Sequence, residues 1–418
     1  MKNNIVSSMH NQINARPRLL NQLAKRIVLS KLECMNKGLL QIIDDSHIFQ
    51  FGDPASSDLK ATITVRDPSF YSSLAFGGSV GVGEAYVRGD WDCYDLTTLV
   101  RLFLINRDVV DDVDQGASSI SAIMNKVFHW FNKNTRTGSR RNISAHYDIG
   151  NDLFELMLDN TMMYSSAVYP DSESSLEDAS INKMQKLCQK LELSAQDHLL
   201  EIGTGWGGLA IYAASHYGCR VTTTTISKQQ YDYAQQLILQ KGLQDKITLL
   251  LEDYRDLQGQ YDKLVSIEMI EAVGLEHLDV YFEKCSSLLK PDGLMCLQTI
   301  TIQDQRYDQA KNEVDFIQKY IFPGGSLPSI TAITQSLTKV TDMSIYNVED
   351  IGRHYARTLH DWRERFLKYE NKVRQLGYDE SFIRLWEYYL CYCEGGFKER
   401  SISTIQAVIS KPLYKELA

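Results

Sequence analysis

The 418-residue chain carries 44 Lys and Arg against 53 Asp and Glu, a formal net charge of −9, with 44% hydrophobic and 23% charged residues. That length suits an α/β domain of about 250 residues plus a second element of about 100–150, and the composition excludes collagen-like, coiled-coil and wholly disordered chains. No run nears the roughly 18–20 apolar residues that span a bilayer, the opening MKNNIVSSMHNQ lacks a secretory apolar core, and the acidic balance disfavours nucleic acid, so a soluble cytoplasmic protein is expected.

Charge is uneven along the chain. Residues 1–40 hold seven basic side chains (Lys2, Arg16, Arg18, Lys25, Arg26, Lys31, Lys37) against Glu33 alone. Within them, about 16–37 reads as a helix with Leu20, Leu23, Ala24, Ile27, Cys34 and Met35 on one face. Arg18, Lys25 and Arg26 lie opposite, and Gly38 is placed to stop it. Two readings stand: a surface helix packed on its own domain, or an interfacial helix drawn to anionic lipid headgroups.

Residues 38–135 read as a small α+β domain, with strands at Ile48–Gly52 and Ala61–Val65. The glycine-rich stretch Phe76–Tyr86 lacks the Gly-Lys-Ser/Thr of a phosphate-binding loop and predicts a tight turn leading into a helix. From about 108 to 142 the chain turns polar and reads as a linker, so the expected division is 1–135 and 136–418. The eight cysteines form no C-x-x-C pair, which points to free thiols rather than a metal site or a disulfide framework.

Strands and helices then alternate, the signature of a doubly wound, mostly parallel sheet. Strands are expected at His198–Ile202, Cys219–Thr225, Lys246–Leu251, Tyr261–Ile267 and Gly293–Ile300. Helices are expected to Tyr217, from Ser227 to Lys241, and over Glu276–Leu289. Beyond 350, helices at His354–Tyr369 and Glu380–Cys393 precede a last strand, Ile402–Ile409.

The glycines after the first of these strands fit two templates. Gly203-x-Gly205-x-x-Gly208 matches the dinucleotide fingerprint, and Glu201-x-Gly203-x-Gly205-x-Gly207 matches S-adenosylmethionine sites. A dinucleotide site wants a carboxylate about 20 residues on, yet 202–231 contain no Asp or Glu. Glu201 stands instead where methyltransferases use an acid to organise the methionine end of the cofactor. A tight strand–helix turn with no ligand is the remaining alternative.

Several further runs carry a resemblance. They are His146–Phe154 (HYDIGNDLF), Tyr164–Ala167 (YSSA), Leu200–Gly208 (LEIGTGWGG), Thr225-Ile226-Ser227-x-x-Gln230, Asp253–Asp256 (DYRD), Glu271–Gly274 (EAVG) and Tyr320–Ser329 (YIFPGGSLPS). Together, in order over about 40–410, they resemble the cyclopropane-fatty-acid synthase family. The resemblance implies a seven-stranded class I methyltransferase sheet behind a smaller N-terminal α+β domain. It also implies S-adenosylmethionine as methyl donor and unsaturated phospholipid acyl chains as substrate. Tyr164, Ser165, Glu201, Gly203, Gly205, Gly207, Thr225, Ile226, Gln230, Asp253 and Tyr254 would form the cofactor site. The 301–350 insertion and the C-terminal helices would wall an acyl channel, although plain core packing accounts for most of their aromatics. The enzyme would visit the inner face of the membrane reversibly, and relatives with an N-terminal domain are usually homodimers.

The family holds a bicarbonate ion as proton acceptor, and this sequence departs there. Glu271, Tyr355 and Cys393 match the family's groups, Ser166 replaces a cysteine whose backbone binds the ion, and Gln298 replaces a histidine. Glutamine donates a hydrogen bond but brings no charge to an anion. Glu268 stands where the family has a small residue. Either its carboxylate substitutes for bicarbonate as the base, with Gln298 orienting it, or it is a structural glutamate paired within the fold. Proton loss from the added methyl closes a cyclopropane; loss from a neighbouring chain carbon gives a methyl- or methylene-branched chain or a furan precursor. A noncatalytic lipid- or nucleotide-binding relative and a small-molecule methyltransferase are the competing readings.

Overall fold

The computed structural model describes residues 18–109 and 149–415. The polar stretch read as a linker, the expected boundary at 135 and the His146–Asp148 part of the family-like motif lie wholly or mostly outside them. The chain divides into two compact units. Among the described residues, one comprises 18–109, 313–321 and 359–401; the other 149–312, 322–358 and 402–415.

The first unit contains a four-stranded sheet in the order β2-β1-β3-β4, with β1 at Leu39–Asp44, β2 at His47–Phe51, β3 at Lys60–Val65 and β4 at Trp91–Cys93. Period-two patterning sets its buried face: Leu40 and Ile42 on β1, Ala61 and Ile63 on β3. Strands β1 and β4 were not expected from the sequence.

The glycine-rich stretch corrects the expected turn. It runs inside one helix, Ser69–Arg88, kinked where Gly78 takes φ 56 and ψ −145. These glycines serve close packing, since a Cβ on Gly81 would lie 2.1 Å from the Ser73 carbonyl oxygen and one on Gly83 2.4 Å from the Phe316 ring.

The first helix spans Arg18–Leu32, and its buried row is Ala24, Val28 and Leu32, continued by Met35 beyond its end. Leu23, Ile27 and Cys34, expected on the buried face, are exposed. Two apolar rows run along this helix, and the row carrying the smaller Ala24 and Val28 is the one that packs. Lys25 is not a free surface cation: it meets Asp44 at 2.5 Å and lies over the rings of Phe49 and Tyr71. Gly38, at φ 66, turns the chain into β1 instead of stopping the helix.

The second unit is built on a seven-stranded sheet in the order β10-β11-β9-β8-β5-β6-β7. Its strands are β5 (His198–Ile202), β6 (Arg220–Thr224), β7 (Ile247–Leu250), β8 (Tyr261–Ile267), β9 (Leu289–Ile302), β10 (Ser344–Asp350) and β11 (Ile402–Ser410). Strands β5 to β9 pair in parallel, and β11 lies antiparallel between β9 and β10. Both faces are covered, so strand residues alternate between two cores. Leu200, Leu264 and Leu297 enter one, and Leu199, Val265 and Cys296 the other. The Ser227 hydroxyl caps the helix Lys228–Gln240 as expected. From β5 the chain winds outward one way through β6 and β7, then returns to β8 on the other side. That reversal opens a crevice at the carboxyl ends of β5 and β8, where open α/β sheets bind ligands. Among the described residues no helix is long and apolar enough to cross a membrane.

Candidate active site

The loop leaving β5 is shaped by left-handed glycines: Gly203, Gly205 and Gly207 have φ 103, 54 and 93. The Gly203 and Thr204 amides both donate to the Thr224 carbonyl at the end of β6 (3.1 and 3.0 Å), pinning the loop to the sheet. A Cβ built on Gly205 meets no atom within 4 Å, so the backbone there faces open space. Beneath the loop Glu201 is buried and accepts from the Thr223 hydroxyl at 2.5 Å. Burial pushes its carboxyl up to about 8, only partly offset by that hydrogen bond.

The other expected cofactor residues surround the carboxyl ends of the same strands. Thr225 donates from its hydroxyl to Gln230 Oε1 (2.9 Å), with Ile226 between β6 and the cap. After β7, Arg255 clamps Asp253 through two nitrogens (2.8 and 2.6 Å), and the Tyr254 ring meets Tyr281 edge-on. Tyr164 packs edge-on against Phe154 at 5.0 Å, and Ser165 accepts from the buried Lys183 ammonium at 2.7 Å. The set fits S-adenosylmethionine: open space over Gly205 admits a ligand against the backbone, and Glu201 is a buried acid that a cationic amino-acid tail would ionise.

The second strand end carries two carboxylates. Glu268 directly follows β8 and takes φ 49, a left-handed conformation rare for any residue but glycine. Its Oε1 accepts from the Ser166 amide and from Gln298 Nε2, both at 2.9 Å, and its Oε2 accepts from the Tyr355 hydroxyl at 2.8 Å. Burial raises its pKa, opposed by Gln298, the Lys183 charge, Ser166 and Tyr355. The Ser166 hydroxyl turns away to the Ala167 carbonyl, leaving only the backbone toward Glu268. Glu271 accepts at Oε1 from the Ile300 amide (2.6 Å) and the Thr299 hydroxyl (2.8 Å). Its Oε2 is buried without a hydrogen-bond partner among the described residues. Burial, and then the Glu268 charge, push Glu271 up to about 8.

Ser166, Glu268, Glu271, Gln298 and Tyr355 therefore gather in the second unit. Cys393 belongs to the first, on the helix Glu380–Lys398, with its thiol pKa raised by burial. Sequence reasoning missed Lys183, which is wholly buried, with an ammonium pushed down to about 8 by burial and held up by Glu268 and Asp159. The signal was present: Lys183 interrupts the buried stripe Leu176, Ala179, Ser180, Met184 and Leu187 of its helix, where a lysine has no ordinary place.

A model of the mycolic acid cyclopropane synthetase family matches residues 134–407. Tuberculostearic acid methyltransferase UfaA1 of Mycobacterium tuberculosis is 36% identical over 347 residues, covering 79% of this chain and 78% of that protein. Cyclopropane-fatty-acyl-phospholipid synthase of Escherichia coli K12 is 37% identical over 365 residues, covering 84% and 88%. The crystal structure of mycolic acid cyclopropane synthase CmaA1 complexed with SAH and CTAB superposes with a TM-score of 0.61 at 30% identity, over 65% of this chain and 98% of that one. With that sheet, that glycine loop and these matches, the chain belongs to the mycolic acid cyclopropane synthetase family and is an S-adenosylmethionine-dependent methyltransferase.

Proposed function

We propose that this enzyme adds a methyl group to the cis double bond of an unsaturated phospholipid acyl chain, and that Glu268 removes the proton that completes the product, a cyclopropane ring. The observation that carries this is the Glu268 carboxylate, held by Ser166, Gln298 and Tyr355 at the crevice between β5 and β8. When bound, S-adenosylmethionine supplies an electrophilic methyl on a sulfonium. An isolated alkene has no acidic proton, so no base is needed before attack. Afterwards the acyl chain carries a positive charge, and a C–H bond of the added methyl must give its proton away as its electrons close the ring. A buried carboxylate with a raised pKa is suited to accept that proton. The Tyr355 hydroxyl steadies it, and the exclusion of water protects the cation from capture.

Bicarbonate does not fit these donors. Those that would hold it already point at Glu268, and an added anion would face Glu268 and Glu271 together. Glu268→Gln is expected to lower turnover to S-adenosylhomocysteine by ~10²–10⁴-fold, with cofactor affinity retained. Full activity in that variant would sink the assignment.

The similarity to a tuberculostearic acid methyltransferase favours a second product. If Glu268 takes its proton from a neighbouring chain carbon, the result is a methyl- or methylene-branched chain. Both products gain one CH2, so fragmentation of the extracted fatty acids separates them where mass alone does not.

A bilayer is the proposed partner. The first helix leaves Leu19, Leu23 and Ile27 79%, 54% and 40% exposed, one turn apart, beside the exposed Arg26. Leu23→Asp with Ile27→Asp should weaken binding to anionic vesicles without lowering the melting temperature. Unchanged vesicle binding would return this stripe to the ordinary surface.

A further inference from the structure

We propose that Lys190 and Gln406 are positioning residues that fix which way the Gln298 amide faces, so that it donates to Glu268. The inference rests on the reading of Glu268 as the proton acceptor and goes beyond it to residues that do not contact Glu268 themselves.

A one-way chain of hydrogen bonds crosses three strands. Lys190, the last residue of the helix Leu176–Lys190, places its ammonium 2.6 Å from Gln406 Oε1 on β11 and 2.6 Å from Glu349 Oε2 on β10. Gln406 Nε2 donates to Gln298 Oε1 on β9 at 2.9 Å. Gln298 Nε2 then donates to Glu268 Oε1 at 2.9 Å and to the Ser166 carbonyl at 3.1 Å. Gln406 and Gln298 are directly paired across β11 and β9, and both are fully buried, so no solvent competes for either amide.

Direction is the point. A primary amide presents either a donor or an acceptor by turning about its last bond. An ammonium can only donate, so Lys190 obliges Gln406 to turn its oxygen outward. That turns the Gln406 NH2 toward Gln298 and the Gln298 NH2 toward Glu268. Without the cation the direction is held only from the far end, by the Glu268 carboxylate and the Ser166 carbonyl, and the turned-over pair, which sets the Gln298 oxygen against both, comes closer in energy. An unpaired buried acceptor of that kind is costly.

The other charges are accounted for. Glu268 is faced by Lys183 and the Tyr355 hydroxyl, and its charge acts on Glu271. Lys190 pairs with Glu349, which also meets Lys186 at 3.8 Å and feels His354; the Cys296 thiol feels both Lys190 and Glu349. None of these supplies Gln406 with a second cation.

The test compares Lys190→Met, Lys190→Arg, Gln406→Met and Glu268→Gln in the full-length enzyme. Vesicles of a cis-monounsaturated phospholipid serve as substrate, and kcat is followed across pH alongside cofactor affinity and melting temperature. Lys190→Met and Gln406→Met are each expected to lower kcat about tenfold, since a hydrogen bond to a charged group is lost. They should also move the acid limb of the kcat profile upward, because the Glu268 carboxylate loses a donor. Cofactor affinity should hold, and Lys190→Arg should recover most of the loss. A kcat that falls only in step with melting temperature, with the acid limb in place, overturns the proposal and leaves Lys190 as a structural staple. Glu268→Gln separates the two failures: its full activity defeats the base assignment, whereas a dead Glu268→Gln beside an unmoved limb in Lys190→Met defeats the positioning role alone.

Discussion

Two strand ends meet at the crevice of the second unit, and they use left-handed backbone in opposite ways. After β5 the positive φ values fall on Gly203, Gly205 and Gly207, where the conformation costs little. After β8 a positive φ falls on Glu268, where an L side chain pays on the order of 1–2 kcal/mol. The first end spends its freedom on letting a ligand approach bare backbone. The second holds a strained residue in place with three donors, as the role proposed for its carboxylate requires.

Glu268→Gly is the largest way to break this comparison. It removes the strain and the proposed base together, so turnover should fall by ~10²–10⁴-fold. It also takes one acceptor away from the Ser166 amide, the Gln298 NH2 and the Tyr355 hydroxyl, at a cost of about 1–3 kcal/mol for a buried group left unsatisfied. The variant should therefore be less stable despite the relaxed backbone. Added formate or bicarbonate should raise its melting temperature and restore part of its turnover by filling the vacated place. A variant that is more stable than the parent and indifferent to small carboxylates would show that the strain has no functional return.

Gly205→Ala tests the other end. The built Cβ meets nothing within 4 Å, so the substitution cannot clash with the protein itself. Only the φ of 54 makes it costly, at roughly 1–2 kcal/mol. If S-adenosylmethionine lies against this backbone, affinity measured by calorimetry should drop far more than stability does, by about 10–100-fold, a loss worth roughly 1.4 kcal/mol per factor of ten. Parallel losses in affinity and stability would mean that the open space is not where the ligand sits.

The two ends also differ in how far they could be read from sequence. Strands β5 and β8 were legible from their short apolar centres, Leu199-Leu200 and Leu264-Val265, set in a regular alternation with helices, and the glycine loop because few other residues tolerate its backbone. The first helix was misread because two apolar rows of similar length run along it, and only its packing partner chooses between them. The glycine-rich stretch near residue 80 predicted a turn, since the sequence does not reveal that Gly81 lies against the Ser73 carbonyl of its own kinked helix or that the Phe316 ring presses on Gly83. Glu268 stood out only against a family pattern. The Lys190, Gln406 and Gln298 chain could not be seen at all: its members lie 216 and 108 residues apart and meet only through the sheet order β8-β9-β11.

The smallest effect concerns protons. Burial raises Glu201 at the first end and Glu271 at the second alike, from 4.5 to about 8. Below the unfolded value both states are protonated and these groups do not affect stability. Between 4.5 and about 8 the unfolded chain alone gives up its protons, so stability falls as pH rises across that window. Lys183 acts the other way at higher pH. Its ammonium is pushed from 10.5 down to about 8, so between those values the unfolded chain holds the extra proton and stability rises with pH. The melting temperature of the free enzyme should therefore decline toward pH 8 and then level or recover. Cofactor should separate the two carboxyls. A cationic amino-acid tail beside Glu201 favours its ionised form, whereas Glu271 gains no such partner and keeps its neighbour Glu268. Binding near neutral pH is thus expected to release up to about one proton, read as the dependence of calorimetric heat on buffer ionisation enthalpy. Glu201→Gln should abolish that release, while Glu271→Gln should leave it in place. The reverse result would move the cation-binding role from the end of β5 to the end of β8.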